Sequence, residues 1–321
     1  MRKPIASFFL TFAFMFSAAQ AEVVYQHVPG WLKPPTGLAH LGNAHGEIAV
    51  DSKGMIYVSV DGDGTPGDRE GIQVYHPDGS YSHNVPGLPK TLHGFVIRQD
   101  VIYGAVLGGQ RVIKATLDGK ILLDIPASSF PADKAGPNGL KLTSVDVAPN
   151  GDIYVVDGYG QDWIFVFDSE GKFKKVFGGR VAPYNLNNCH KIFIDPRYDQ
   201  PRILCCDRVN LRLVHLSLDG EFIGVFAQGL RRPSSASFFG DYVCIAEIAG
   251  RVSVLDKNGQ TVATLGTNES KGETNTNKVE PPQWHDGIVT APHGITFTST
   301  GDILVTEWNK TGRVLRWNRQ P

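Results

Sequence analysis

Apolar and polar positions alternate along the chain in short bursts, each bounded by glycine, proline, aspartate or asparagine. GMIYVSVDG (54–62), DVIYGAVLG (100–108), GDIYVVDGYG (151–160), PRILCCDRVN (201–210), GDYVCIAEIAG (240–250) and GDILVTEWNKTG (301–312) read as short strands. A second burst follows each: GIQVYHPDGSY, RVIKATLDGKI, WIFVFDSEGKF, RLVHLSLDGEF, RVSVLDKNGQT and RVLRWN. Five of these six end in Asp-Gly, Glu-Gly or Asn-Gly, pairs that suit a tight hairpin needing positive φ. A shorter strand-like segment, such as HGEIAVD, TSVDVAP or HGITFTS, precedes each first burst. Its leading residues fall at 45, 93, 143, 190, 234 and 293, in steps of 48, 50, 47, 44 and 59.

Four short strands in a period of about 40–50 residues is the signature of a β-propeller blade. Six copies predict an all-β, six-bladed β-propeller, closed so that no sheet edge is left free. The last copy stops after its third strand, whereas EVVYQHV (22–28) has no copy of its own. That segment is expected to supply the outer strand of the last blade and close the ring. The long final step marks an insertion at 267–290, polar and turn-rich, expected as a surface loop. Trp284, His285 and Asp286 within it leave open whether it lids the channel. No helix is needed after the first 21 residues.

Those first residues, MRKPIASFFLTFAFMFSAAQA, place two basic residues before an apolar run and end it on Ala-Gln-Ala. The pattern is that of a secretory leader cut before Glu22. The run is short for a membrane span, which takes about 20 apolar residues. The expected organisation is a leader at 1–21 and one propeller at 22–321, exported to a periplasm or secreted, monomeric and away from the membrane once cut. A formal charge of -1 gives no basic surplus, against a nucleic-acid partner. The four cysteines (Cys189, Cys205, Cys206 and Cys244) match no zinc-knuckle or CxxC spacing and read as buried thiols. Cys205 and Cys206, adjacent in a strand, should point to opposite faces.

The leading positions lie where the innermost strands start, beside the central channel. Round the ring they read His45, His93, Thr143, His190, Ser234 and His293. His93, His190 and His293 occupy blades two, four and six, 120° apart, so their imidazoles would converge on the axis. Three protein nitrogens with an open fourth position is the catalytic zinc arrangement. A His-Gly pair also caps the start of a propeller strand, and that structural role stays open. His45 falls off the three-fold pattern and would line the channel or touch substrate. Tyr159, in the central turn of blade three, would act as a general base if a metal or cation favoured its phenolate. Arg208, in the matching turn of blade four, would hold a carboxylate in bidentate fashion or pair with Asp207.

DVAPNGDIYVVDGYGQDWIFVFDSEGKF, then CHKIFIDPR and ILCCDRVNLRLVHL, then PHGITFTSTGDILVTEWN resemble peptidyl-α-hydroxyglycine α-amidating lyase, an NHL-repeat six-bladed propeller. The resemblance spans residues 85–318 and is most specific at Asp-Gly-Tyr and Asp-Arg. It implies zinc on His93, His190 and His293, catalysis by Tyr159, and substrate binding by Arg208. A second family arginine maps by blade onto Arg69. The implied reaction cleaves a carbinolamide of a small-molecule or peptide substrate into an amide and glyoxylate. Three features depart from the family. Gly294 stands where the family places an aspartate on a structural calcium, which argues against calcium. Cys189 stands where the family tends to proline. No copper monooxygenase domain is read in this sequence, so a lyase of this kind would need a separate monooxygenase partner or a different substrate. Two other readings compete: a non-catalytic NHL propeller binding protein, peptide or glycan, and a calcium-dependent lactonase, disfavoured because the leading positions hold no carboxylate.

Overall fold

The second strand of each blade is buried on both faces because each sheet packs between two neighbours. In blade three, Ile153 and Val155 enter one core while Tyr154 and Val156 enter the next. Cys205 and Cys206 divide the same way, and all four cysteines are buried free thiols. The computed structural model describes residues 23–61 and 71–321. The leader, Glu22 and Arg69 lie outside the described residues.

Six four-stranded antiparallel sheets form the blades. Their innermost strands are Ile48–Val50, Leu92–Arg98, Ser144–Val147, Cys189–Asp195, Pro233–Phe239 and Pro292–Phe297. The ring closes as expected. Tyr25–His27 pairs antiparallel with Val314–Arg319, Tyr25 opposite Arg319 and His27 opposite Trp317, and completes blade six. Among the described residues there is no α-helix, only four single turns of 3₁₀ helix.

The insertion holds two of those turns, Lys271–Glu273 and Pro281–Gln283. It is tied to the rim turns of blades five and six. Asn275 N–H donates to Ile248 O at 3.0 Å, Lys310 N–H to Asn277 O at 3.2 Å, and Asn309 Nδ2 to Val279 O at 2.6 Å. The Arg313 guanidinium stacks 4.7 Å over Trp284.

Blades four and five are also joined through a buried carboxylate. Asp195 accepts from Arg197 Nη2 at 2.7 Å and Nε at 2.9 Å, and faces His215 Nε2 at 3.1 Å. Arg197 Nη1 in turn reaches Asp241 O of blade five at 3.2 Å. Burial alone would raise the Asp195 carboxyl, but the bonds from Arg197 and His215 outweigh it and hold it at about 2. A depressed carboxylate stabilises the fold above its unfolded value near 3.8, and that stabilisation fades as pH falls towards 2. The contribution at neutral pH is about 2 kcal/mol. The stability gap between wild type and Asp195→Asn should therefore shrink between pH 5 and pH 2 in urea unfolding. A gap independent of pH would remove Asp195 from the acid response.

Candidate metal and catalytic site

Strand pairing sets which residues share a level of the channel. Gly94, Ser144, Ser235 and Gly294 lie opposite Ala105, Val156, Ala246 and Thr306 of their neighbouring strands. One step nearer the mouth come His93, Thr143, Ser234 and His293, with His190 matching them in blade four. In blade one Ile48 pairs with Val58, which puts Glu47 level with Gly94 and Gly46 level with His93. His45 therefore sits one residue outside the register expected from the sequence, closer to the mouth.

Each of the three in-register histidines is wired alike. Nδ1 of His93 lies 2.9 Å from Thr143 O, that of His190 2.7 Å from Ser234 O, and that of His293 2.8 Å from Gly46 O. Each acceptor belongs to the next blade round the ring. A ring nitrogen facing a carbonyl must carry the proton, which leaves Nε2 with its lone pair. The ring centroids are 4.8, 4.9 and 5.1 Å apart. Burial is the first cause pushing all three well below the ordinary imidazole value, and nearby cationic groups push the same way. They are neutral, as ligands must be. Nε2 of His293 is buried with no partner, a cost that a bound cation would relieve. Three neutral imidazoles oriented by outer carbonyls suit a zinc-type ion. The glycines that follow His93 and His293 have a packing cause. A Cβ at Gly94 would stand 2.3 Å from Thr143 O, and one at Gly294 would stand 2.6 Å from Glu47 Oε1.

The turn of blade three separates structural from chemical residues. Asp157 accepts N–H bonds from Lys141 and Gln161 and so fixes the preceding loop. Asp207, Glu247 and Glu307 do the same in blades four to six, binding the N–H groups of Asn187, Arg231 and Thr290. Gly158 is required because a Cβ would lie 2.2 Å from Cys189 O. Tyr159 has no counterpart. Its hydroxyl lies 3.0 Å from His190 Nε2 and 3.2 Å from His93 Nε2.

Arg208 reaches the same hydroxyl, with Nη1 3.5 Å away, and donates from Nη2 to Ser234 Oγ at 3.1 Å. Asp207 does not pair with it, because that carboxylate takes Arg212 at 2.7 Å. The corresponding Glu247 and Glu307 likewise take Arg251 and Arg313. Arg208 is left buried, with its Nε unbonded and no carboxylate partner among the described residues. The structure thus gathers His93, His190, His293, Tyr159 and Arg208.

Sequence reasoning missed four contributors. Asp61 faces His45 Nδ1 at 3.3 Å, and the Trp308 ring lies 5.6 Å from that imidazole. Arg232 adds a second positive charge near Arg208, with its own Nε buried and unbonded. Lys191, level with Glu47 on the opposite side of the ring, crosses the channel to bond it at 2.7 Å. Of these only Lys191 left a sign in the sequence, as a lysine inside the apolar run CHKIFID. The Lys191–Glu47 pair forms a floor. Beyond it a cavity of about 600 Å³ continues down the channel between Phe95, Phe193, Ala236 and Ile295. The histidines lie on the mouth side.

No protein-family model matches the chain, and comparison with curated proteins finds no match. Solved structures do resemble it. A streptogramin B lyase is 14% identical with a TM-score of 0.57, covering 95% of this chain and 100% of that one. Virginiamycin B lyase from Staphylococcus aureus, in a catalytically inactive histidine-to-alanine variant with quinupristin, is 14% identical. Its TM-score is 0.54, over 94% of this chain and 89% of that one. The selenomethionine form of that lyase is 15% identical with the same TM-score and coverage. At this identity the likeness shows the shared propeller fold.

Proposed function

We propose that the histidine end of the channel is the active site of a zinc-dependent lyase. Its substrate would be a carbinolamide of the peptidyl-α-hydroxyglycine type, R-CO-NH-CH(OH)-COO⁻, and its products an amide and glyoxylate. One observation carries the reading: a phenol bridges two of three neutral, converging imidazoles, beside a buried arginine that has no carboxylate partner among the described residues. The neighbouring lyases share the fold; the side chains support the chemistry.

His93, His190 and His293 would hold the ion, which when bound supplies Lewis-acid polarisation of an oxygen function. Arg208 and the Ser234 hydroxyl would fix the substrate carboxylate at the edge of the cluster. Tyr159, as phenolate, would take the proton of the substrate hydroxyl. The C–O bond then becomes the aldehyde carbonyl of glyoxylate as the C–N bond breaks. The phenol returns its proton to the departing amide nitrogen, so the enzyme ends as it began.

The reading is tested by incubating the zinc-loaded protein with α-hydroxyhippurate and measuring benzamide and glyoxylate. Equimolar release of both is expected, and no release above the uncatalysed rate would overturn it. Arg208→Met should lower kcat/KM about 10- to 150-fold, the worth of a hydrogen bond to a charged group. Most of that loss should disappear when the substrate is the neutral methyl ester. An equal loss on acid and ester would show that Arg208 does not bind the carboxylate.

A further inference from the structure

We propose that His45 is a fourth, exchangeable ligand of the ion in this site, an inference that rests on the metal reading above. His45, His93 and His293 each offer a ligand atom, and the three atoms lie within 4.8 Å of one another. The His45 ring centroid is 4.7 Å from that of His293 and 5.0 Å from that of His93. It fills the gap between blades six and two, as Tyr159 fills the gap between blades two and four.

Its wiring repeats that of the buried three. Nδ1 faces an outer oxygen, Asp61 Oδ2 at 3.3 Å, so Nε2 is the nitrogen left for an ion. The difference is that the outer partner is a carboxylate, which orients a ligating imidazole and raises its basicity. Asp61 is itself fixed, its N–H donating to Asn43 O at 2.8 Å. Trp308 backs the ring at an interplanar angle of 35°.

Exposure sets His45 apart. Its side chain is 21% exposed, whereas His93, His190 and His293 are at most 2% exposed. The one-residue shift in blade one produces this difference. Three of the imidazoles are locked into strands by the ring, and His45 stands at the mouth in the irregular segment before Ile48–Val50. Such a ligand would complete a four-nitrogen donor set of the kind zinc accepts. It would give up that place to substrate, with Asp61 holding the freed imidazole oriented beside the site.

The test is metal binding. The chain is stripped with a chelator, then titrated with zinc against a chromophoric competitor and, separately, with Co²⁺ while its visible absorption is followed. Wild type should bind one ion per chain. His45→Ala should still bind one ion, at least 10-fold more weakly, with a changed Co²⁺ spectrum as water replaces imidazole. Asp61→Asn should weaken zinc about 10–100-fold, as loss of an outer-sphere partner does. Matching circular dichroism would show that the variants are folded. If His45→Ala binds zinc within twofold of wild type, with an unchanged Co²⁺ spectrum, His45 is no ligand and only this proposal falls. If wild type binds neither ion, the metal reading of the active site falls with it.

Discussion

Tyr159→Phe is expected to cut glyoxylate release about 10²–10⁴-fold, the usual worth of a positioned acid–base group. The substitution deletes one oxygen and little else. The ring stays packed 5.0 Å from His93 and 5.3 Å from His190, and the turn stays latched by Asp157. Metal content and thermal midpoint should therefore match wild type. KM should move only a few-fold, because Arg208 would still bind the carboxylate. Among the described residues the hydroxyl is also the only group within hydrogen-bond reach of two converging Nε2 atoms and of Arg208 together. The measurement is kcat and KM on α-hydroxyhippurate at matched zinc occupancy. A loss below threefold would take the phenol out of the chemistry and leave it as a spacer between imidazoles.

The fold was legible because a propeller repeats its instructions. Each blade states its own strands and turns, and the unpaired EVVYQHV segment told where the ring closes. The triad was legible for the same reason, since a period turns a sequence position into an angle about the axis. That reasoning fails where one blade shifts register. His-Gly in blade one matched His-Gly in blades two and six by letter, yet pairing sets Gly46, not His45, level with the other histidines. Arg208 could not be distinguished from a salt-bridged arginine by sequence, because its freedom depends on Asp207 choosing Arg212. The repeated carboxylate latch was equally hidden. Only the strand pairing reveals that Asp157, Asp207, Glu247 and Glu307 do one structural job, which leaves Tyr159 as the exception in its turn.

Lys191→Met is expected to destabilise the propeller by about 3–5 kcal/mol, the cost of leaving a buried charge without its partner. Lys191 and Glu47 are 144 residues apart and come from opposite blades at the same level of the channel. Neither has appreciable exposure, at 0% and 3%. Burial pulls the ammonium down from its ordinary value, and the Glu47 carboxylate pulls it back up. The carboxylate is committed elsewhere too. It accepts from Ile48 N at 3.1 Å, Ile295 N at 2.9 Å and Ser235 Oγ at 2.7 Å, which ties blades one, five and six to the pin from blade four. Removing the lysine strands that anion in the channel. Adding Glu47→Gln should recover much of the loss, because the amide oxygen can still accept from the two backbone N–H groups while no charge remains to be paired. Urea unfolding of the two single variants and the double gives the coupling directly. A double variant no more stable than Lys191→Met would mean that the lysine stabilises through a contact other than Glu47, such as its bond to Gly46 O at 3.3 Å. A single variant within about 1 kcal/mol of wild type would mean that water from the cavity below already solvates the pair, and the floor between that cavity and the histidines would be open.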